Sequence, residues 1–337
     1  MGLVLAVPGF VGSALDPLIG AAGDTARRRT LLVSGGLAFA LSAGLAAGAV
    51  DFWTFLVALV IGNPATGAFV SLAQATLIDI DPGARERSMA RWTLAGSFGY
   101  VGGPLLLTFA LAVGLGWRGA TAALAVVALP LAVGMRRLPH AAPVDGESLR
   151  ASLEHALSAL RRREVVRWLA VLESVDLLLD VFHGFLALYL VDVAGVSSAG
   201  AALGVAVWTG AGLAGDWLLL AALRRVDGLT WLRATAAASL VVYPAFLVVP
   251  GLPAKLALAA VLGLLNSGWY AIPKARLFGA LPGRSGVAVA VGGVSGIVGA
   301  VAPLAVGVAA GAVGLAPTMW ALLLAPAAAL ALLPRRS

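Results

Sequence analysis

Gly96-Ser97-Phe98-Gly99-Tyr100-Val101-Gly102-Gly103-Pro104 returns near the far end of the chain as Gly296-Ile297-Val298-Gly299-Ala300-Val301-Ala302-Pro303. Each copy leads into an apolar run, then Gly114-Leu115 or Gly314-Leu315, then a final apolar run. Upstream, Asp81-Pro82-Gly83-Ala84-Arg85 parallels Leu281-Pro282-Gly283-Arg284, so register holds over about fifty residues with one gap. An earlier pair extends the repeat: Gly20-Ala21-Ala22-Gly23-Asp24 before Arg27, Arg28 and Arg29, and Gly212-Leu213-Ala214-Gly215-Asp216 before Arg224 and Arg225. The chain therefore reads as two similar halves.

Composition fixes the medium. Of 337 residues, 61% are hydrophobic and only 12% are charged, too few charges to cover a water-soluble surface of this size. Apolar runs long enough to cross a bilayer, roughly 20 residues each, recur near 3–22, 31–50, 53–78, 92–113, 119–135, 167–191, 199–222, 230–250, 254–275, 286–310 and 314–333. They are continuous rather than alternating, which predicts helices and excludes a barrel. The expected class is an all-α membrane protein of about 11 transmembrane helices. The division is residues 1–139 with five spans, a cytoplasmic linker at 140–166, and residues 167–337 with six. One span (167–191) precedes the Asp216 span and none precedes the Asp24 span, so the first half is expected to lack its opening helix.

The net charge of +7 follows the membrane and gives no reason to expect nucleic acid. Of 23 basic residues, only Arg118 and Lys255 fall at loops on one side of this layout, and the other 21 lie at or near the opposite side. The positive-inside rule then puts the C-terminus in the cytoplasm of a multi-pass protein of the cell membrane. With no cysteine, disulfides and thiolate chemistry are excluded. Residues 1–22 lack a basic leader and run into a basic loop, so no cleavable signal peptide is expected. In the linker, Asp145-Gly146-Glu147-Ser148 precedes Leu149, Leu153, Leu157 and Leu160 at helical spacing. That pattern predicts an amphipathic helix on the cytoplasmic face, or a plain tether.

Two halves joined by a cytoplasmic linker, with these local motifs, resemble the major facilitator superfamily. The family carries a Gly-x-x-x-Asp-Arg-x-Gly-Arg-Arg loop after its second helix. Gly20, Asp24, Arg28 and Arg29 match it, while Thr25 and Arg27 depart from it. Gly212, Asp216, Arg224 and Arg225 form a weaker copy. The resemblance implies that Gly20, Asp24, Arg28, Arg29, Asp216, Arg224 and Arg225 belong to a conformational latch. It also makes the first span the family's second helix. Gly99-Tyr100-Val101-Gly102-Gly103-Pro104 resembles the antiporter motif of the fifth helix, although Leu105-Leu106-Leu107-Thr108 replaces its downstream Gly-Gly. Small residues that let helices pack closely give the same stretch a purely structural reading.

The sixth span carries the chemistry: Glu173, Asp176, Asp180 and His183, at i, i+3, i+7 and i+10. On a straight helix they fall within an arc of roughly 80°, opposite Leu172, Val175, Leu178 and Leu179. Carboxylates at membrane depth belong on an aqueous cavity or a partner, not on lipid. They are candidates for proton or cation binding, with His183 as a relay. A structural polar network between helices is the other reading. By resemblance this span is the family's cavity-lining seventh helix. Weaker candidates are Asn63 and Gln74 (with Thr66 and Ser71) on the third span, Trp208 on the seventh, and Asn266, Trp269 and Tyr270 on the ninth. Lys274 and Arg276 are expected to snorkel to the cytoplasmic interface. Asp16 is a further intramembrane acid.

These features predict a secondary active transporter of a small organic solute, not an enzyme, working by alternating access. It is expected to be proton-coupled and to act as an exporter and a monomer, with the bilayer, a small-molecule substrate and protons as partners. No P-loop is present, and no cofactor or metal is expected. Two alternatives stand beside this. Asp176-Leu177-Leu178-Leu179-Asp180 has the Asp-x-x-x-Asp spacing of metal-dependent, prenyltransferase-type intramembrane enzymes. A chain without its opening helix could also be a non-transporting remnant.

Overall fold

The computed structural model describes residues 2–137, 148–299 and 301–334. Asp145, Gly146 and Glu147 of the expected cap, Ala300 of the repeat, and Arg335 and Arg336 lie outside them. The described residues form helices throughout. In chain order they are α1 (Gly2–Ala22), α2 (Arg28–Gly48), α3 (Phe52–Thr66), a π segment (Gly67–Ser71), α4 (Leu72–Ile80), α5 (Arg85–Ala112), α6 (Gly116–Gly134), α7 (Leu149–Ala159) and α8 (Arg163–Asp176). A second π segment (Leu177–Val181) precedes α9 (Phe182–Asp192), α10 (Ser198–Ala222), α11 (Gly228–Val248), α12 (Leu252–Leu265) and α13 (Ala271–Gly279). Then come α14 (Ser285–Gly299), α15 (Val301–Val313), α16 (Leu315–Trp320) and α17 (Leu324–Leu332). Nine stretches among the described residues are long and apolar enough to cross a membrane, and Val7–Ala22 and Leu252–Leu265 are shorter apolar helices.

Side-chain caps set several helix starts. Asp51 accepts from the Trp53 and Thr54 N–H groups at 2.8 and 2.9 Å, and Asp227 accepts from Leu229 and Thr230 at 3.0 and 3.2 Å. Each satisfies backbone donors that a helix N-terminus leaves open. Ser148 caps α7 through the Ala151 N–H, so the amphipathic linker helix starts at the last residue of the expected cap.

The chain divides into two compact units. The first is 1–85, 102–165 and 278–297; the second is 86–101, 166–277 and 298–337. Part of α5 thus groups with helices of the later half, and most of α14 with helices of the earlier half. In the first unit α2 packs on α3 and α6, and α1 on α3, around Leu32, Leu72 and Ala132. Gly35 and Gly36 let α2 approach Ala68, Phe69 and Ala132. In the second unit the core is aromatic: Phe182 meets Trp208, Tyr243 and Phe246 edge-on, with centroids 4.8, 5.4 and 5.5 Å away. Leu105, Phe109, Val126, Val241 and Leu304 are exposed. Apolar side chains so placed are suited to lipid.

Candidate functional site

The first unit holds a buried polar network at the loop after α1. The Asp24 carboxylate accepts the backbone N–H groups of Gly286 and Val287, at 2.6 and 2.8 Å. These are the open donors at the start of α14, where the helix dipole also favours an anion. Arg28 binds Asp24 at 3.0 Å, Asp79 at 2.5 Å and the Ser285 hydroxyl at 2.6 Å. Its Nε donates to the Gly23 carbonyl. Ser285 donates in turn to Asp79 at 2.5 Å. Burial pushes the Asp24 carboxyl above its usual range, against the pull of the Gly286 and Val287 N–H groups and Arg28, while Asp79 adds to the rise.

Gly20 permits this contact. A Cβ there would overlap the Ala290 backbone and lie 2.9 Å from the Gly286 carbonyl oxygen. Sequence alone does not single out Asp79 and Ser285; the run Asp79-Ile80-Asp81 at a helix end is the one local signal for the acid. Arg29 stands outside the network and donates to the Arg136 carbonyl.

The second unit does not copy the arrangement. Asp216 is buried and accepts from the Ser97 hydroxyl at 2.5 Å. Arg224 and Arg225 are exposed, and among the described residues neither forms an ion pair with Asp216. Arg276 instead joins Glu86 at 2.7 Å and the capping Asp227 at 3.0 Å. That ties Arg276 into ion pairs rather than leaving it to snorkel freely.

The acidic face differs from a straight stripe. Leu177–Val181 is a π segment, and an extra residue in one turn rotates the downstream helix by about 100° against straight-helix register. Glu173, Asp176 and His183 are half-buried and Asp180 is exposed, while Val175, Leu178, Val181 and Phe182 face the core. His183 meets the Tyr100 ring edge-on at 6.4 Å. The Glu173 carboxyl packs on Gly299, where any Cβ would overlap it. Asp176 feels the like charges of Asp180 and Glu173 and the opposite charge of Lys274. The Lys274 ammonium lies 5.9 Å from the Tyr270 ring centroid. The charge of Lys274 thus acts on Asp176, where the sequence predicts snorkelling alone. Tyr100, Gly299 and Lys274 lie far from this span in sequence, so no local pattern announces them.

The weaker candidates separate. Trp208 and Trp269 are core side chains; the Trp269 indole donates to Thr235 at 3.0 Å. Asn63 seats its amide over Gly12, and Gln74 is buried. Asn266 ends α12 and Gly268, at φ 82°, opens the break before α13. Both side-chain polar atoms of Asn266, and the Ser267 hydroxyl, are buried without a hydrogen-bond partner among the described residues.

A family model of the Major Facilitator Superfamily matches residues 1–303. The chain belongs to the Major Facilitator Superfamily. No curated protein matches it in sequence. Among solved structures it is similar to the Major Facilitator Superfamily transporter FucP in the outward conformation, at 15% identity and TM-score 0.80, over 98% of this chain and 88% of that one. A variant of the E. coli fucose:proton symporter FucP aligns at 16% identity and TM-score 0.81, over 98% and 89%. The human organic anion transporter MFSD10 aligns at 21% and 0.77, over 98% and 83%. At these identities the structures show the fold. Membership of this superfamily makes the chain a multi-pass secondary transporter of a small molecule, and sets aside the prenyltransferase alternative.

Proposed function

We propose that this superfamily member is a proton-coupled exporter of a small cationic or amphiphilic organic solute, acting as a monomer in the cell membrane with its C-terminus cytoplasmic. The acidic face of Glu173, Asp176 and Asp180, with His183 beside Tyr100 and Lys274 within reach of Asp176, carries the reading. Clustered acids at membrane depth with a cation beside one of them can exchange a proton for a cation. The likeness to the fucose:proton symporter agrees with proton coupling, and the antiporter-like stretch at Gly99–Pro104 favours export. Asn266, Trp269 and Tyr270 at the α12–α13 break, with Asn63, Gln74 and Trp208, are the further solute and proton-path candidates. Asp24 and Arg28 latch α1 to α14 through Gly20, Asp79 and Ser285, and Asp216 with Ser97 is the second unit's counterpart. Arg29, Arg224 and Arg225 serve as basic anchors at the cytoplasmic face.

The test is solute flux in proteoliposomes under an imposed pH gradient. Asp176→Asn and Asp180→Asn should each abolish uphill, proton-driven flux while downhill exchange of the same solute persists. Unchanged proton-driven flux in both variants rejects the coupling assignment.

A further inference from the structure

Asp16 takes part in neither the latch nor the acidic face. It lies within the apolar stretch Val7–Ala22 and is the sole ionisable side chain of α1. Asp16 and Gly20 stand at i and i+4 on one face of that helix, Asp24 follows in the turn just beyond its end, and this edge runs along α14. At its cytoplasmic end Asp24 holds the Gly286 and Val287 N–H groups. One turn deeper Gly20 meets Ala290 and Gly286 at backbone distance. Another turn deeper, a Cβ on Gly293 would fall 2.9 Å from the Asp16 Cβ. From the other side the π segment closes in: a Cβ on Gly67 would overlap Asp16 Oδ1. Asp16 is half-buried: its stem packs on Gly293 and its carboxyl on Gly67, and both contacts depend on the missing Cβ.

Among the described residues, no ion pair brings a cation to Asp16. α14 has no ionisable side chain. The continuous stretch from α3 through α4 carries only Asp79, twelve residues beyond Gly67 and already paired with Arg28. α7, which also packs on α1, carries Arg150, Glu154 and His155, and the first two pair with each other. A carboxylate at membrane depth without a counter-charge is strongly disfavoured, and a bound proton removes the charge.

We propose that Asp16 is a proton-binding site of the α1–α14 seam, protonated while the seam is closed and ionised once the seam parts and water reaches it. This deepens the transport reading, resting on the Asp24 latch, and it adds a second proton site away from the acidic face. The proton leaves Asp16 to water as the seam opens and returns before it closes, so each cycle balances.

The experiment uses the whole chain in lipid nanodiscs. Infrared difference spectra between high and low pH report protonated carboxyl groups. Because the chain has no cysteine, spin labels at Ala26→Cys and Pro282→Cys report the cytoplasmic end of the seam. The parent protein should show a carboxyl band that fades as pH rises, while the label distance lengthens over the same range. Asp16→Asn should delete that band and keep the distance short at every pH. Gly67→Ala, which retains the acid but crowds it, should move the band to a different pH. Asp24→Asn should lengthen the distance at all pH values and move the loss of the band to lower pH, toward the ordinary carboxylate range, because the seam is then open to water. If only that last expectation fails, the latch reading falls and the proton site stands. A band and a pH-dependent distance that both survive Asp16→Asn overturn the proposal, as does a distance that follows sodium concentration at fixed pH.

Discussion

At the scale of single residues, Arg28 is the centre of the buried polar network after α1. It is one side chain between two acids, a hydroxyl and a carbonyl, and it keeps only 11% of its side-chain surface exposed. Removing it strands Asp24, with 1% exposure, and Asp79 as like charges without a cation. Loss of one partner from a buried pair costs on the order of 3–5 kcal/mol. Arg28→Ala should therefore lower thermal stability in detergent by that order. Ser285→Ala, which removes a bridging hydroxyl and leaves both charges paired, should cost about 1 kcal/mol. If Ser285→Ala cost as much as Arg28→Ala, the guanidinium would not be the centre of the network. The sequence discloses Asp24 and Arg28 because a local motif carries them. It conceals Asp79 and Ser285 because they arrive through long-range packing, 51 and 257 residues from Arg28.

At the scale of elements, the π segment at Leu177–Val181 separates expectation from structure. Hydropathy and charge spacing place the span and its acids. Spacing alone treats the helix as straight, and no residue type announces an i→i+5 turn. A π segment carries one residue more than the straight turn it replaces, which gives an unusual prediction for deletions. Removing Leu179 should let the turn close into α-helix with both flanks keeping their neighbours, so the protein still folds and unfolds cooperatively. Removing Leu186, in the regular helix α9, should rotate everything beyond it by about 100°. That swings Tyr189 and Leu190, both buried, out of the core at on the order of 2–5 kcal/mol for each side chain. Circular dichroism and thermal melts of the two single-residue deletions check this. Equal damage from both would mean that the segment holds no spare residue.

At the scale of the molecule, the repeat and the charge asymmetry are legible, because both are written as composition along the chain. Gly96–Pro104 and Gly296–Pro303 announce the halves. How helices group is not legible. Small residues favour close packing without naming the partner, and Gly20 does not say that Ala290 and Gly286 lie against it. Orientation rests on charge alone, and it gives the last test. Arg118 and Lys255 are the two basic residues on the sparse side, and both are already engaged: Arg118 donates to the Ala49 carbonyl at 2.9 Å, and Lys255 to the Phe246 carbonyl at 2.7 Å. Neither then acts as a free cytoplasmic anchor, which sharpens the bias the membrane reads. A reporter fused after Ser337 should be active only in the cytoplasm, and one inserted between Gly195 and Val196 only outside. Adding three arginines at Gly195 should weaken this discrimination. Replacing Arg118 by Gln should leave it unchanged, since the bias depends on the 21 other basic residues of the 23. A reporter after Ser337 that works only outside the cell would reverse the orientation and, with it, the proposed direction of transport.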